Sequence, residues 1–175
     1  MMYYTGKGDK GSTDIRKGRV KKDSEIIELI GSLDELNAFI GYSISKIKYK
    51  DIREMLKSTE LRLYYISAIV SGYDNLVKNK KIIINEEDIT EIEKDIGILS
   101  KEIKPLIKFL YPNGSEASCI VNICRAITRR TERRMVRCRI KNENALKYMN
   151  RLSSLLFVIF RVLNKRENIK EDTFN

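Results

Sequence analysis

The stretch FLYPNGSEASCIVNICRAITRRTERR, Phe109 to Arg134, decides the fold of this chain. Pro112 and Gly114 mark a loop, Ser115 is a good N-cap, and a long helix is predicted from there. At ~100° per residue, Ala117, Ile120, Val121, Cys124, Thr128, Thr131 and Met135 share one stripe, which should face a core. Arg125, Arg129 and Glu132 lie beside that stripe, within about 60° of one another. Two guanidinium groups and a carboxylate on one flank suit either a solvated face with i,i+4 support or an anion-binding site.

The same spacing recurs on both sides. Ile26, Ile30, Leu33, Asn37, Ile40, Ile44 and Ile47 predict a first helix from Glu25 to about Lys48. Asn37 interrupts its apolar stripe and is either a satisfied core amide or a ligand contact. Ile52, Leu56, Thr59, Leu63, Ile66, Val70 and Tyr73 predict a second helix, about Asp51 to Val77. A lysine-rich linker follows. Asn85 then caps a third helix whose Ile89, Ile92, Ile96, Leu99 and Ile103 point one way until Pro105 ends it. A fifth, from Glu143 to about Asn164, buries Leu146, Met149, Leu152, Ser153, Leu156, Ile159, Phe160 and Leu163, with Asn150 and Arg161 on nearly one line. The tail RENIKEDTFN is polar and expected to fray. Helices of ~20 residues are ~30 Å long, so the expected fold is all-α. It is a five-helix antiparallel bundle in one domain, with an arm at 1–24, the bundle at 25–167 and a tail at 168–175.

Composition narrows the chemistry. At 175 residues the chain can bury a sizeable core without staples. Cys119, Cys124 and Cys138 are odd in number and form no CxxC pair, which argues against a disulfide framework or a zinc knuckle and for the cytoplasm. The longest apolar run, Leu155 to Phe160, is far too short to span a bilayer. A net charge of +10 implies affinity for polyanions: nucleic acid, an acidic surface or a polyphosphate ligand. There is no histidine, so no Ser-His-Asp or Cys-His device and no histidine metal site can be built. Any catalysis must do without imidazole.

Near the start, Thr5 to Thr13 reads TGKGDKGST. It matches G-x-G-x-x-G at Gly6, Gly8 and Gly11, but no βαβ pattern follows, and Ser12 stands where a Walker lysine is needed. What remains is a glycine loop with the hydroxyls of Ser12 and Thr13 and the charges of Lys7, Lys10, Arg16, Lys17, Arg19, Lys21 and Lys22. It reads as a phosphate cradle or as a flexible basic arm.

Three blocks now stand in order: TGKGDKGST, SLDELNAFIG in the first helix, and the arginine helix followed by YMNRLSSLLFVIFR. Together they resemble the PduO-type ATP:cob(I)alamin, or corrinoid, adenosyltransferases from Tyr4 to Asn164. The family pattern joins a T-x-T-G-D-x-G-x-T arm, an L-D-E-L-N helix, an F-x-x-P-G-G-S loop, an R-x-x-x-R-R-x-E-R helix and an N-R-L-S-D-L-L-F helix. The resemblance implies a ferritin-like five-helix bundle, assembled as a homotrimer with ATP held between subunits. It implies transfer of the 5′-deoxyadenosyl group of ATP to the cobalt of cob(I)alamin, with Mg²⁺ accompanying the nucleotide.

Carried over by position, Thr5, Gly6, Lys7, Gly8, Ser12 and Thr13 would wrap the triphosphate, and Lys22 would add a charge. Arg125 and Arg129 would bind phosphate oxygens, with Arg130 and Arg133 on the same nucleotide. Glu132 and Asn150 would fix the adenosine end. Asp34 would meet Arg125 across a subunit boundary. Phe109 matches an aromatic wedge beneath the corrin, with Asn113 and Ser154 also on the corrin side. The implied partners are ATP, the corrinoid, a reductase and an adenosylcobalamin-dependent acceptor enzyme, with no nucleic acid and no membrane. The chain departs from the pattern at Lys7 for threonine, Asn113 for glycine, Asn122 for histidine and Ser154 for aspartate.

The chemistry suits the residue inventory, because the nucleophile is the cobalt of the substrate and no general base is required. The protein must orient two ligands and stabilise a departing polyanion, which is work for lysine and the planar arginine fork. Two other readings compete. Arg129, Arg130, Arg133, Arg134, Arg137 and Arg139 could form a basic nucleic-acid module, although the segment lacks interleaved aromatics. The bundle could also be a nucleotide or cobalamin carrier without catalysis.

Overall fold

A computed structural model describes residues 3–16, 18–73 and 83–174. The expected Lys17 charge, the continuation of the second helix to Val77 and most of the lysine-rich linker lie outside the described residues. The chain forms five helices and one small hairpin: β1 Ser12–Ile15, β2 Gly18–Lys21, α1 Glu25–Lys46, α2 Lys50–Val70, α3 Glu86–Ser100, α4 Glu116–Arg137 and α5 Glu143–Arg166.

The caps explain several of these starts. Ser115 opens α4 by accepting the Ser118 amide at 3.2 Å, and Asn142 opens α5 by accepting that of Ala145 at 2.8 Å. At α3, Asn85 and Asp88 form a reciprocal capping box. The α2 stop differs from the expected one. The chain turns at Gly72 with φ +82°, and the Tyr73 amide bonds back to the Ala68 carbonyl at 2.8 Å. This is a glycine helix stop, so Tyr73 lies outside the helix and half exposed instead of in the stripe. Likewise α3 ends at Ser100, leaving Ile103 in the connector but still packed against the core.

Consecutive helices alternate in direction, as the side-chain pairs reveal. Glu28 of α1 pairs with Arg134 of α4, while Ser43 meets Cys124, so these helices run antiparallel. Lys147 pairs with Glu86 and Arg151 with Glu93, setting α3 and α5 side by side in the same sense. At the far end, Arg166 joins Asp51 of α2 to Glu102 beyond α3. The core holds Leu29, Leu33, Leu36 and Ile40 of α1 against Val121, Cys124 and Met135 of α4. The predicted α4 stripe is buried at all seven positions.

Helix α5 is buried more fully than one stripe predicts: Leu155 to Phe160 is interrupted only by partly buried Phe157, and burial continues through Asn164. It packs on both α3 and α4, so two faces are covered. Thr59, Thr128 and Thr131 satisfy their buried hydroxyls on carbonyls four residues back. Asn37 is partly buried, and its side-chain oxygen is enclosed without a hydrogen-bond partner among the described residues.

Two expectations for the ends are corrected. The arm is an antiparallel hairpin, with Thr13 opposite Val20 and Asp14 opposite Arg19. The Arg19 guanidinium bonds the Asp14 carboxylate at 3.1 Å and the Lys7 carbonyl, tying the glycine loop to the hairpin. The described part of the tail, through Phe174, does not fray. The Phe174 amide donates to the Phe109 carbonyl at 3.0 Å, the Tyr111 amide to that of Asp172 at 2.9 Å, and the Phe174 ring stacks on Tyr111 with centroids 3.8 Å apart.

Candidate functional site

The connector after α3 and the facing flanks of α4 and α5 enclose a cavity of about 520 Å³. Leu106, Phe109, Leu110, Tyr111 and Pro112 form its lip. Asn122, Arg125 and Arg129 come from α4, while Ser153, Ser154, Phe157, Val158 and Phe160 come from α5. The walls are largely apolar and the two arginines are the charged groups among them. A concave apolar site with few polar groups is the usual form of a small-molecule site.

Arg125 and Arg129 are one helical turn apart, so their guanidinium groups share the α4 flank. Neither has a carboxylate partner among the described residues. Arg125 is oriented from two sides: its Nε donates to the Asn122 amide oxygen at 2.8 Å, and its guanidinium lies 5.7 Å from the centroid of Phe157. Burial, and then the neighbouring Arg129 charge, lower its pKa from the ordinary arginine value. This is a cation held in apolar surroundings without a counterion, an arrangement stabilised by an incoming anion.

Phe109 sits at the lip with 83% of its surface exposed, unusual for a large aromatic ring and available to a flat ligand. Ser154 lines the same cavity. Asn113 does not: its amide bonds Asp172 at 2.9 Å and its carbonyl accepts from Asn164, placing it in the seam with the tail. Asn122, noted in the sequence only as a departure, turns out to aim Arg125. Phe157 falls off the predicted stripe of α5, and its register beside that stripe was the available signal.

Beyond the cavity, Asn150 donates to Glu132 at 2.9 Å, so this expected pair is brought together. Arg130 pairs with Glu35 of α1, and both side chains are partly exposed. Arg133 is exposed and donates to the Arg129 carbonyl at 3.1 Å. With Arg130 and Arg134 both neutralised by α1 carboxylates, the basic run is not one continuous cationic stripe. Asp34 is exposed on α1 and makes no ion pair among the described residues.

The arm packs where α2 stops. The Arg16 amide donates to the Ser71 carbonyl at 3.3 Å and its guanidinium lies over Tyr73, beyond the end of α2. The Lys22 ammonium lies over Gly8, where an added Cβ would come within 2.9 Å of it. Among the described residues, no hydrogen bond or ion pair of the arm reaches α4. Thr5, Gly6, Lys7, Gly8, Ser12, Thr13 and Lys22 therefore form one group, and the arginine cavity another. No helix is long and apolar enough to cross a membrane, and no cluster of three or more acidic or cysteine side chains could hold a metal ion, both among the described residues.

The family model of cobalamin adenosyltransferase matches residues 3–163. The corrinoid adenosyltransferase of Bacillus subtilis (strain 168) is 36% identical over 173 residues, covering 97% of this chain and 90% of the relative. The corrinoid adenosyltransferase PduO of Citrobacter freundii is 32% identical, over 92% of this chain but 49% of its own length. Among solved structures, a phenylalanine-to-alanine variant of the PduO-type ATP:corrinoid adenosyltransferase from Lactobacillus reuteri, complexed with cobalamin and ATP, superimposes with a TM-score of 0.88. It is 25% identical and 99% of each chain is covered.

Proposed function

Because the chain belongs to the cobalamin adenosyltransferase family, we propose that its arginine cavity is the seat of that reaction. The protein is an ATP:corrinoid adenosyltransferase. Cob(I)alamin and ATP are its substrates, and adenosylcobalamin and triphosphate its products. The observation that carries the site assignment is the pair Arg125 and Arg129, one turn apart and without a carboxylate partner among the described residues, in an apolar cavity rimmed by exposed Phe109.

In the reaction, a cobalt–carbon bond forms at C5′ as the carbon–oxygen bond to triphosphate breaks, and that bond's electron pair leaves with the triphosphate. Charge develops on the departing polyanion, so donors fixed in advance lower the barrier. Arg125, aimed by Asn122 and Phe157, and Arg129 are those donors. Phe109 at the lip would lie beneath the corrin, displace its lower axial ligand and keep water from that lower face. Ser154 contributes a polar contact there, and Glu132 with Asn150 holds the adenosine end. None of these steps needs an acid or base, consistent with a chain that has no histidine.

The other half of the nucleotide site comes from a second copy. Within one chain the arm makes no hydrogen bond or ion pair to α4 among the described residues, and a homotrimer in which each arm reaches a neighbour's α4 would unite them, with Asp34 facing the neighbour's Arg125. There Thr5, Gly6, Lys7, Gly8, Ser12, Thr13 and Lys22 wrap the triphosphate. Mg²⁺ would accompany the nucleotide and help neutralise the departing triphosphate. Three unpaired cysteines suit a reducing cytoplasm, where a reductase would supply Co(I) and an adenosylcobalamin-dependent enzyme would take the product.

The experiment mixes the purified protein anaerobically with chemically reduced cob(I)alamin, Mg²⁺ and ATP and follows the corrin spectrum against a control without protein. Conversion to adenosylcobalamin is expected. Binding of ATP without conversion would favour the carrier instead. Sedimentation at several concentrations tests the trimer.

A further inference from the structure

We propose that Arg161, which touches neither the cavity nor the proposed ligands, is a positioning residue that sets the Phe109 lip through the tail. This rests on the corrinoid reading of that cavity. Arg161 lies on α5, 6% exposed. Its Nε donates to Glu171 Oε1 at 2.6 Å and one terminal nitrogen to Glu171 Oε2 at 2.9 Å, a two-pronged ion pair with the tail. The same nitrogen donates to the Lys104 carbonyl at 3.0 Å. Lys104 stands at the entrance of the connector that carries Phe109. One buried guanidinium therefore ties the root of the lip to the segment that runs back along it.

That segment acts directly on the lip. Residues 172–174 pair with residues 109–111 through the two backbone hydrogen bonds already described and a bridge between Leu110 and Thr173. Asn113 adds its bond to Asp172. Phe109 has almost no side-chain packing of its own at 83% exposure, so its place depends on its backbone, and that backbone is held by the tail. A polar decapeptide with one Phe at its end has little apolar area with which to dock. The Arg161–Glu171 pair is the anchor that keeps it in place, and lysine could not replace it because only the planar fork reaches both carboxylate oxygens and a carbonyl at once.

The test uses Glu171→Gln, Arg161→Lys and the double replacement Arg161→Met with Glu171→Leu. The double variant removes both charges together and so avoids leaving an unpaired buried ion. Hydrogen exchange at the amides of Tyr111 and Phe174 should quicken about tenfold in each, as expected for loss of a charge-assisted bond, while α4 and α5 amides keep their protection. In turnover, the KM for corrinoid should rise while the KM for ATP stays, and the loss should not add to that of Phe109→Ala. Unchanged exchange at Tyr111 and Phe174 overturns the tether. Equal rises in both KM values, or losses that add to Phe109→Ala, overturn its role at the lip. If the unaltered protein makes no adenosylcobalamin, the corrinoid reading fails separately, and the exchange measurement still decides the tether.

Discussion

Replacing Arg125 by methionine should lower activity and leave stability nearly unchanged. In the structure this guanidinium has one hydrogen bond, to Asn122, one aromatic neighbour, Phe157, and no carboxylate among the described residues. Burial already lowers its pKa, so the folded chain holds the charge against its environment. Methionine keeps the packing of the aliphatic stem and removes the desolvated charge. The loss of the Asn122 bond and the aromatic contact costs about 1–2 kcal/mol, against which stands the relief of a partly buried cation that has no carboxylate partner among the described residues. The net change in unfolding free energy should lie within about 1 kcal/mol of zero. Transfer should suffer far more, because a fixed donor to the leaving group is worth about 2.7–4 kcal/mol, or ~10²–10³ in rate. Urea unfolding and the anaerobic corrin assay measure the two quantities on one sample. A destabilisation above about 3 kcal/mol would mean that Arg125 is a structural group. Turnover within a few fold of the parent would refute its role at the triphosphate.

Three further outcomes are open to measurement. Phe109→Ala should reduce activity most when Co(II) must be reduced in the site and least when Co(I) is supplied; equal losses would count against the wedge. Gly114→Ala should destabilise by about 1–3 kcal/mol in urea, since φ is +154° and the added Cβ would meet the Asn164 amide and the Ser118 hydroxyl; a neutral result would show that Asn164 can swing aside. Burial pushes the Cys124 thiol up to about 11 from 9.0, so the folded state keeps a proton that the unfolded chain releases. Its stabilising contribution is intact below pH 9 and is lost as the pH rises toward 11, and Cys124→Ala should flatten that part of the stability profile.

The helices were legible because their apolar residues recur at a spacing that only one backbone period satisfies. The α4 stripe, with Ser115 before it, located the helix and left Arg125, Arg129 and Glu132 on the flank that now lines or borders the cavity. The hairpin was not legible: Ser12–Ile15 and Gly18–Lys21 show no apolar alternation, and they are joined by ladder bonds and by Arg19 reaching back to Lys7. The tail failed for the same reason. Its order comes from Arg161 and Glu171, ten residues apart with a helix end between them, and nothing local announces such a pair. Glu35 and Asp34 illustrate the limit at one residue's resolution. Adjacent acids in SLDELN point about 100° apart, and Glu35 turns out to be committed to Arg130 within the chain, while Asp34 stays at the surface.

The division of the proposed nucleotide site between one chain's arm and another chain's α4 also bears on how defects combine. In the proposed trimer each chain gives its arm to one site and its α4 to another, so a damaged arm and a damaged α4 spoil different places in the ring. Two inactive proteins, one altered at Gly8 and the other at Arg129, should regain turnover when they are unfolded and reassembled together, because some neighbours then join a sound arm to a sound helix. Inheritance of two such alleles would leave a cell with partial activity where either allele alone leaves none.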